Sequence, residues 1–150
     1  MSKSNFDSLF RENNERWLDP LPKHQRTLIL KLMEQNEDYY TVAEAYLTIN
    51  TPNTAPFSAG QGRKIFVDKL VLEIEHFLCG DKKYEEERLG LFSNLKPTHT
   101  IVVSTVSAAV APYIGASAIF IMPAVSLIFI GIGKMTINAW CEMRKELKLQ

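Results

Sequence analysis

The hydrophobic pattern contains an uncharged run of 34 residues, from Thr100 to Gly133. An amphipathic helix on a soluble core shows one polar face to water, so charged residues normally recur every few positions. A helix of about 20 apolar residues spans the bilayer core, which is about 30 Å thick. The run is too long for one straight span and fits two short ones. We therefore predict a C-terminal helical hairpin that spans a membrane.

Two positions within the run could form the turn of this hairpin. Residues 112–117 include Pro112 and Gly115 and have good turn chemistry, but they leave a first arm of only about 21 Å. A turn near Met122 and Pro123 gives arms of about 22 and 18 residues, with a proline kink at Pro112. On span length we favour the second turn, with helices at about 99–120 and 123–147.

Residues 1–96 show helical periodicity and no alternating strand pattern. Ser4 is the predicted cap of the first helix, Thr41 and Glu44 form a capping-box pattern, and Gly80 suits a helix C-terminus. Residues 50–62 contain two prolines, two glycines and no charge, which predicts a loop. The five predicted helices lie at about 4–18, 23–35, 41–49, 63–79 and 82–92.

The fold class is therefore predicted as all-α. A small helical cytosolic domain at 1–96 precedes a hydrophobic hairpin at 97–150, which ends in a basic tail. The first part carries 13 basic and 15 acidic residues, and the second carries four and two. Neither has the basic excess of a nucleic-acid-binding protein, so we expect no nucleic-acid partner.

Basic and aromatic residues flank both ends of the run, as they do at membrane interfaces. This pattern predicts an inner-membrane hairpin with both termini in the cytoplasm. The predicted interface anchors are Lys96, His99, Lys134, Trp140, Arg144 and Lys145.

Small residues recur along one side of each predicted arm, and small faces let membrane helices approach closely. They could pack the two arms of one hairpin together, or pack between subunits around a pore. These residues are Ser104, Ala108, Ala111 and Gly115 on the first arm, and Ala124 and Gly131 on the second. The hydroxyl groups of the run are expected to bond to backbone carbonyls one turn back, with a pore lining as the alternative. They belong to Ser104, Thr105, Ser107, Ser117 and Ser126.

Catalytic and metal-binding motifs are missing from the sequence, so we expect no enzyme, cofactor or metal. Glu73 and His76 are three residues apart, but the sequence has no second Glu-x-x-His copy and we interpret them as a solvated face. Cys79 and Cys141 have no zinc or CxxC spacing. Two cysteines in an intracellular-looking chain are usually buried thiols, and we expect that here.

The layout of a short helical domain and a two-helix hairpin resembles small two-span effectors of bacterial antiphage and other conflict systems. The resemblance concerns chiefly residues 97–150 and includes no diagnostic motif; many such effectors place their spans at the N-terminus. It implies an oligomer that perturbs or permeabilises the inner membrane, controlled through residues 1–96 by a protein partner. The alternative is a harmless membrane-anchored adaptor that binds a protein through Phe6, Phe10 and Trp17.

A water-soluble state with the hairpin hidden inside a helical bundle is a further alternative, as in pore-forming colicins. About five short helices would have to wrap the run, which we judge too little cover from one subunit. Such a state is therefore expected to need an oligomer.

Overall fold

The computed structural model describes residues 8–36, 38–50, 60–93, 97–133 and 135–149. Within these ranges the fold is all-helical, as predicted, with seven α-helices and three short 3₁₀ helices. The α-helices are α1 (Lys23–Gln35), α2 (Tyr39–Asn50), α3 (Gly60–Cys79), α4 (Glu85–Phe92), α5 (His99–Ile114), α6 (Ala118–Ile132) and α7 (Ile137–Leu149). The 3₁₀ helices are Leu9–Arg11, Asn14–Leu18 and Lys82–Tyr84.

The first predicted helix is not continuous within the described residues. Glu12 is extended, with ψ of 174°, and separates the two N-terminal 3₁₀ helices. The Asn13 side chain accepts a hydrogen bond from the Glu15 N–H and caps the second of them. An asparagine competes well for such local backbone bonds, which is why this segment breaks instead of continuing as an α-helix. The predicted cap at Ser4 lies outside the described residues.

Helix α1 has the predicted bounds, whereas α2 begins earlier than predicted. Asp38, not Thr41, is the residue at its start. The Asp38 carboxylate accepts hydrogen bonds from the Tyr40 N–H at 3.2 Å and the Thr41 hydroxyl at 2.8 Å. A carboxylate at this position also interacts favourably with the positive end of the helix dipole. The predicted loop at 50–62 is wrong at its two ends, because Asn50 belongs to α2 and residues 60–62 belong to α3; residues 51–59 lie outside the described residues.

The turn of the hydrophobic run lies at residues 115–117, so the favoured turn near Met122 and Pro123 is wrong. Gly115 adopts a left-handed conformation with φ of +83°, which glycine enters without steric cost. Ser117 then caps α6 by accepting the Phe120 N–H at 3.2 Å. The favoured alternative offered neither a glycine nor a capping hydroxyl, and both prolines stay inside helices.

The predicted second arm at 123–147 is also interrupted. Helix α6 ends at Ile132, and α7 starts at Ile137 after a short connection. The Thr136 hydroxyl accepts the Ala139 N–H at 3.1 Å, which satisfies a donor in the first turn of α7. Helix α7 therefore forms a separate amphipathic element, which packs against α3.

Helix α6 lies in the middle of the described bundle. It packs against α5, α2 and the 3₁₀ helix Asn14–Leu18, while α3 packs against α5 and α7. Ten of its 15 residues are buried within one chain. The expectation that one subunit gives too little cover is therefore wrong for α6.

Candidate functional site: a covered hydrophobic helix pair

Helices α5 and α6 form a bent pair in which neither helix carries an Asp, Glu, Lys or Arg. Among the described residues no helix has, by itself, both the length and the hydropathy of a membrane span. The two helices meet that standard only when taken together, and their axes are bent by 116°. The pair is thus a short, folded apolar unit stored within the bundle.

An aromatic cluster covers the C-terminal half of α6. The Trp17 ring is fully buried and stacks on Phe129, with ring centroids 4.8 Å apart. Phe10 lies 4.8 Å from Trp17, and the His99 ring meets it edge-on at 4.5 Å. The buried His99 Nε2 lies 3.0 Å from the Leu9 carbonyl oxygen. The N-terminal segment and the start of α5 therefore close over the hydrophobic helix together.

The predicted partner patch is consequently not a surface. Trp17 and Phe10 are buried, because they supply the cover on Phe129, and Phe6 lies outside the described residues. A protein could reach this cluster only after the N-terminal segment had separated from α6.

The turn between α5 and α6, in contrast, is exposed and uncharged. Ile119 is 79 % exposed and Tyr113 is 47 % exposed, and Pro112 and Gly115 also face solvent. A cleft of about 320 Å³ lies beside Ile119. Its lining is completed by Gln25, Tyr46, Ser117, Phe120 and Pro123. We call residues 112–119 the apolar tip.

A lysine borders the apolar tip. The Lys83 ammonium lies 4.0 Å from the centroid of the Tyr113 ring and 2.7 Å from the Glu73 carboxylate. Tyr84 donates a 2.6 Å hydrogen bond to the same carboxylate. Glu73 is therefore buried and paired, which corrects the interpretation of Glu73 and His76 as a solvated face. His76 lies beside Asp81 instead, with Nδ1 3.1 Å from Oδ2.

The small residues predicted to pack the hairpin lie in different environments. Ala124 is buried, and Gly131 lies where an added Cβ would be 3.4 Å from the Tyr39 ring. Those of the predicted first arm are less buried: Ala108 in α5 and Gly115 after it are exposed, and Ser104 and Ala111 are half-buried. The side of α5 that is buried carries mainly valines instead, at Val102, Val103, Val106 and Val110.

Two buried hydroxyl groups of the pair have no hydrogen-bond partner among the described residues. The Oγ atoms of Ser107 and Ser126 belong to fully buried residues, one on each helix. The prediction that they bond to a carbonyl one turn back is therefore wrong for these two serines. A buried hydroxyl without a hydrogen-bond partner costs about 1–3 kcal/mol. The Ser107 and Ser126 hydroxyls therefore remain able to form hydrogen bonds that this bundle does not provide.

The predicted interface anchors are distributed between the core and the surface. Trp140 is 2 % exposed and His99 is also buried. Arg144 is half-buried against Glu75, and Lys145 is exposed. Lys96 and Lys134 lie outside the described residues.

A disulfide bond joins Cys79 at the end of α3 to Cys141 in α7. The expectation of two buried thiols is therefore wrong, and Cys79 is exposed. The two helices lie side by side here because Glu75 of α3 binds two basic side chains of α7. Its carboxylate accepts a 2.9 Å hydrogen bond from Arg144 and a second from Lys148. We call the disulfide and these ion pairs the clasp.

Glu75 is an almost fully buried carboxylate, at 7 % exposure. Burial raises its pKa, but the hydrogen bonds and charges of Lys148 and Arg144 outweigh this and hold the pKa below its ordinary value of 4.5. Burial likewise raises the pKa of Glu73, and the bonds from Lys83 and Tyr84 lower it overall. Both carboxylates are therefore held in the charged form by the fold.

We predict that acid weakens the fold through Glu75. A carboxylate whose pKa is depressed in the folded state stabilises that state above its unfolded pKa, and this contribution is lost as the pH falls through the folded value. Stability should therefore fall below about pH 4.5, and Glu75→Gln should lower the free energy of unfolding at pH 7 by about 2 kcal/mol and flatten this acid limb. Urea unfolding at several pH values measures both effects.

Glu146→Gln is the matched control, since Glu146 is an exposed glutamate on α7, the helix that Glu75 contacts. It should leave both the stability and the acid limb unchanged. An acid limb that is equally steep in Glu75→Gln would show that other carboxylates cause the loss.

Sequence reasoning missed the clasp because its parts lie on helices that are distant along the chain. A weak signal was present: Glu75 precedes Cys79 by four residues, and bases follow Cys141 at positions 144, 145 and 148. Residues four apart share a helix face, so each cysteine lies on a face of defined charge, acidic on α3 and basic on α7. Opposite charge on two cysteine-bearing faces favours, but does not establish, their pairing.

No group of three or more His, Cys, Asp or Glu side chains that could hold a metal ion occurs among the described residues. Comparisons with protein-family models, curated proteins and solved structures found no match for this chain.

Proposed function

We propose that this protein is a membrane effector that is stored in a closed form and, once opened, oligomerises and permeabilises the inner membrane. The observation that carries the proposal is a difference in exposure between two parts of the uncharged pair of α5 and α6. Helix α6 is buried in the bundle, whereas the apolar tip that joins it to α5 is exposed to solvent. A hairpin enters a bilayer turn first, so the exposed end is the one that must lead.

The composition of the tip makes this entry inexpensive. A charged side chain at the bilayer centre costs about 2.5–3.5 kcal/mol on insertion scales, and residues 112–119 contain none. Tyr113 suits the membrane interface, where an aromatic ring can remain half in water. Lys83, beside this ring, can meet anionic headgroups while the tip approaches.

The lengths of the arms favour assembly after entry. Helix α5 has 16 residues and α6 has 15, so each is about 22–24 Å long. Short apolar helices thin the bilayer locally or oligomerise to reduce the mismatch. The arms of one released hairpin are therefore better suited to a multimeric lesion than to a single passive anchor.

Two features of the pair provide contacts for such an assembly. The outward side of α5 carries small, uncharged residues, among them Ala108 and Ala111, that permit close helix approach. Ser107 and Ser126 contribute hydroxyls that have no partner in the closed bundle. In a bilayer these can bond between helices, where each such bond contributes about 1 kcal/mol.

Control lies in the cover that residues 8–36, 38–50 and 60–93 provide. Trp17 and Phe10 lie on Phe129, α2 packs on α6, and α3 packs on α5. Opening requires these surfaces to separate, so a protein that binds the freed N-terminal segment would favour the open form. The proposed regulatory partner would therefore bind the segment that closes over α6.

The test is dye release from phosphatidylethanolamine–phosphatidylglycerol vesicles with Ile119→Asp. Ile119 is largely exposed, so the substitution leaves the core intact, while the new carboxylate must cross the bilayer. A cost of about 3 kcal/mol corresponds to a roughly 100-fold slower release. Membrane-potential loss in expressing bacteria should fall in parallel.

Ile65→Asp is the matched control, because Ile65 is also an exposed isoleucine near the start of a helix, at 62 % exposure. It should release dye as the wild type does. Equal release by the wild type and Ile119→Asp would contradict entry by the tip. Vesicle binding without any release, under acid, reductant or neither, would favour the membrane-bound adaptor instead.

A further inference from the structure

We propose that the Cys79–Cys141 disulfide is a redox lock on the hydrophobic pair, and that reduction by a cellular thiol of the glutathione or thioredoxin class opens it. This inference rests on the proposed membrane function and adds its regulation. Three observations support it: the position of the disulfide in the chain, its accessibility and the weakness of the other α3–α7 contacts.

The position of the cross-link is the first observation. The bonded cysteines are 62 residues apart in sequence, and the loop between them contains α4, α5, α6 and the start of α7. Their Cα atoms are 5.7 Å apart, so both ends of this loop are fixed at the C-terminal end of α3. Only eight residues lie between Ile132, the end of α6, and Cys141. The bond therefore limits how far α6 can move from the bundle.

Accessibility is the second observation. Cys79 is exposed at the end of its helix, and Gly80 beside it has open space where a side chain would project. A cleft of about 390 Å³ adjoins both cysteines. Its other lining residues are Glu75, His76, Gly80, Asp81, Glu142, Lys145 and Lys148. A small thiol or the exposed cysteine of a reductase can thus reach the bond without unfolding of the bundle.

The chemical step is thiol–disulfide exchange. A reductant thiolate attacks one sulfur, the Cys79–Cys141 bond breaks and a mixed disulfide forms. A second reductant thiol then resolves the mixed disulfide and forms the reductant's own disulfide. The protein gains two electrons and two protons, and the reductant loses them. Both cysteines end as thiols.

The contacts that remain between α3 and α7 are the third observation. Lys148 is half exposed and Arg144 is partly exposed, so water and salt weaken their pairing with Glu75. Trp140 and Ile137 are the buried residues of α7. Once the bond is broken, α7 is held by this short apolar contact and partly screened charges. It can then separate and release the C-terminal end of α6.

The redox state of the compartment determines whether the disulfide is kept or reduced. Disulfides persist in oxidising compartments and are reduced in the cytosol. The protein is therefore closed where the bond is maintained and opens where thiols are abundant. Reduction raises the population of molecules in which the bundle is open. These open molecules are the ones that insert into the membrane in the proposed function.

The experiment compares oxidised full-length protein with and without dithiothreitol. Amide hydrogen exchange of α6 and α7 is measured first in solution, and then dye release from phosphatidylethanolamine–phosphatidylglycerol vesicles. Reduction should accelerate exchange in α7 and α6 and raise the release rate about tenfold or more. Cys79→Ser/Cys141→Ser should match the reduced wild type without reductant. Circular dichroism checks that the variant remains helical.

The outcomes separate the lock from the function beneath it. Equal exchange and equal dye release in the oxidised and reduced forms, with release present, would overturn the lock and leave the membrane function standing. Faster exchange on reduction with no release in any state would remove the proposed function and, with it, the regulation. Glu146→Gln, which leaves the bond intact, should still need reductant for release.

Discussion

Trp17→Ala is expected to lower the free energy of unfolding by about 4 kcal/mol, within the range for truncating a fully buried tryptophan. The indole is 0 % exposed and contacts rings from three other parts of the chain, at Phe10, His99 and Phe129. Its removal leaves a cavity over α6 that small shifts of the 3₁₀ helix cannot fill. Guanidinium chloride unfolding measures the loss.

The same substitution should uncover the hydrophobic pair. Because Trp17 holds the N-terminal segment against Phe129, its loss allows water and lipid to reach the C-terminal half of α6. Hydrogen exchange of α6 should accelerate, and vesicle leakage should start without reductant. This links a stability effect in residues 1–96 to a membrane effect in residues 97–150.

Trp17→Phe is the control that separates packing from polarity. The Trp17 Nε1 has no hydrogen-bond partner among the described residues, so phenylalanine forfeits no bond there. It retains an aromatic contact with Phe129 and should cost only about 1–2 kcal/mol. Unchanged α6 exchange in a destabilised Trp17→Ala variant would show that this ring is not the cover.

The all-α fold could be predicted because helical periodicity is a local property. The spacing of Leu28, Ile29, Leu32 and Met33 predicted α1 with the bounds that the structure has. The 3₁₀ helix Asn14–Leu18 and α2 start at other residues than predicted, because the Asn13 and Asp38 side chains form local hydrogen bonds there. One side chain can thus decide where a helix starts. At the hydrophobic run the backbone conformation of Gly115 decided the turn, whereas our choice had relied on bilayer thickness.

The candidate site was predictable only in part. The lack of charge in residues 100–133 identified the hydrophobic pair and is a property of the sequence itself. Its burial depends on Trp17, Tyr39 and other residues far away along the chain, so periodicity could not reveal it. Phe10 and Trp17, which were interpreted as part of a partner surface, belong to the cover, because amphipathic spacing shows that a face is apolar but not what covers it.

Breaking the disulfide is the second large effect that we expect. Closing a loop of about 60 residues restricts the unfolded chain by an amount worth about 4 kcal/mol in the loop-entropy model. Cys79→Ser/Cys141→Ser should therefore unfold at a clearly lower guanidinium concentration than the oxidised wild type. Reduced wild type should unfold close to the double variant, because both lack the same cross-link.

The unfolding slope distinguishes the cause of this difference. A cross-link compacts the unfolded state, so its loss should also steepen the dependence of the unfolding free energy on denaturant. Coincident unfolding of the oxidised and reduced wild type would contradict a stabilising clasp. A lower midpoint with an unchanged slope would place the effect in the folded contacts between α3 and α7 instead.

The expected size matters because small domains are stable by only about 5–15 kcal/mol. Removing about 4 kcal/mol raises the population of unfolded molecules by about three orders of magnitude, at 1.4 kcal/mol per tenfold. The ion pairs of Glu75 with Arg144 and Lys148 are partly exposed and contribute less. One reversible covalent bond at the end of α3 can therefore control α6, in which ten of 15 residues are buried in the bundle.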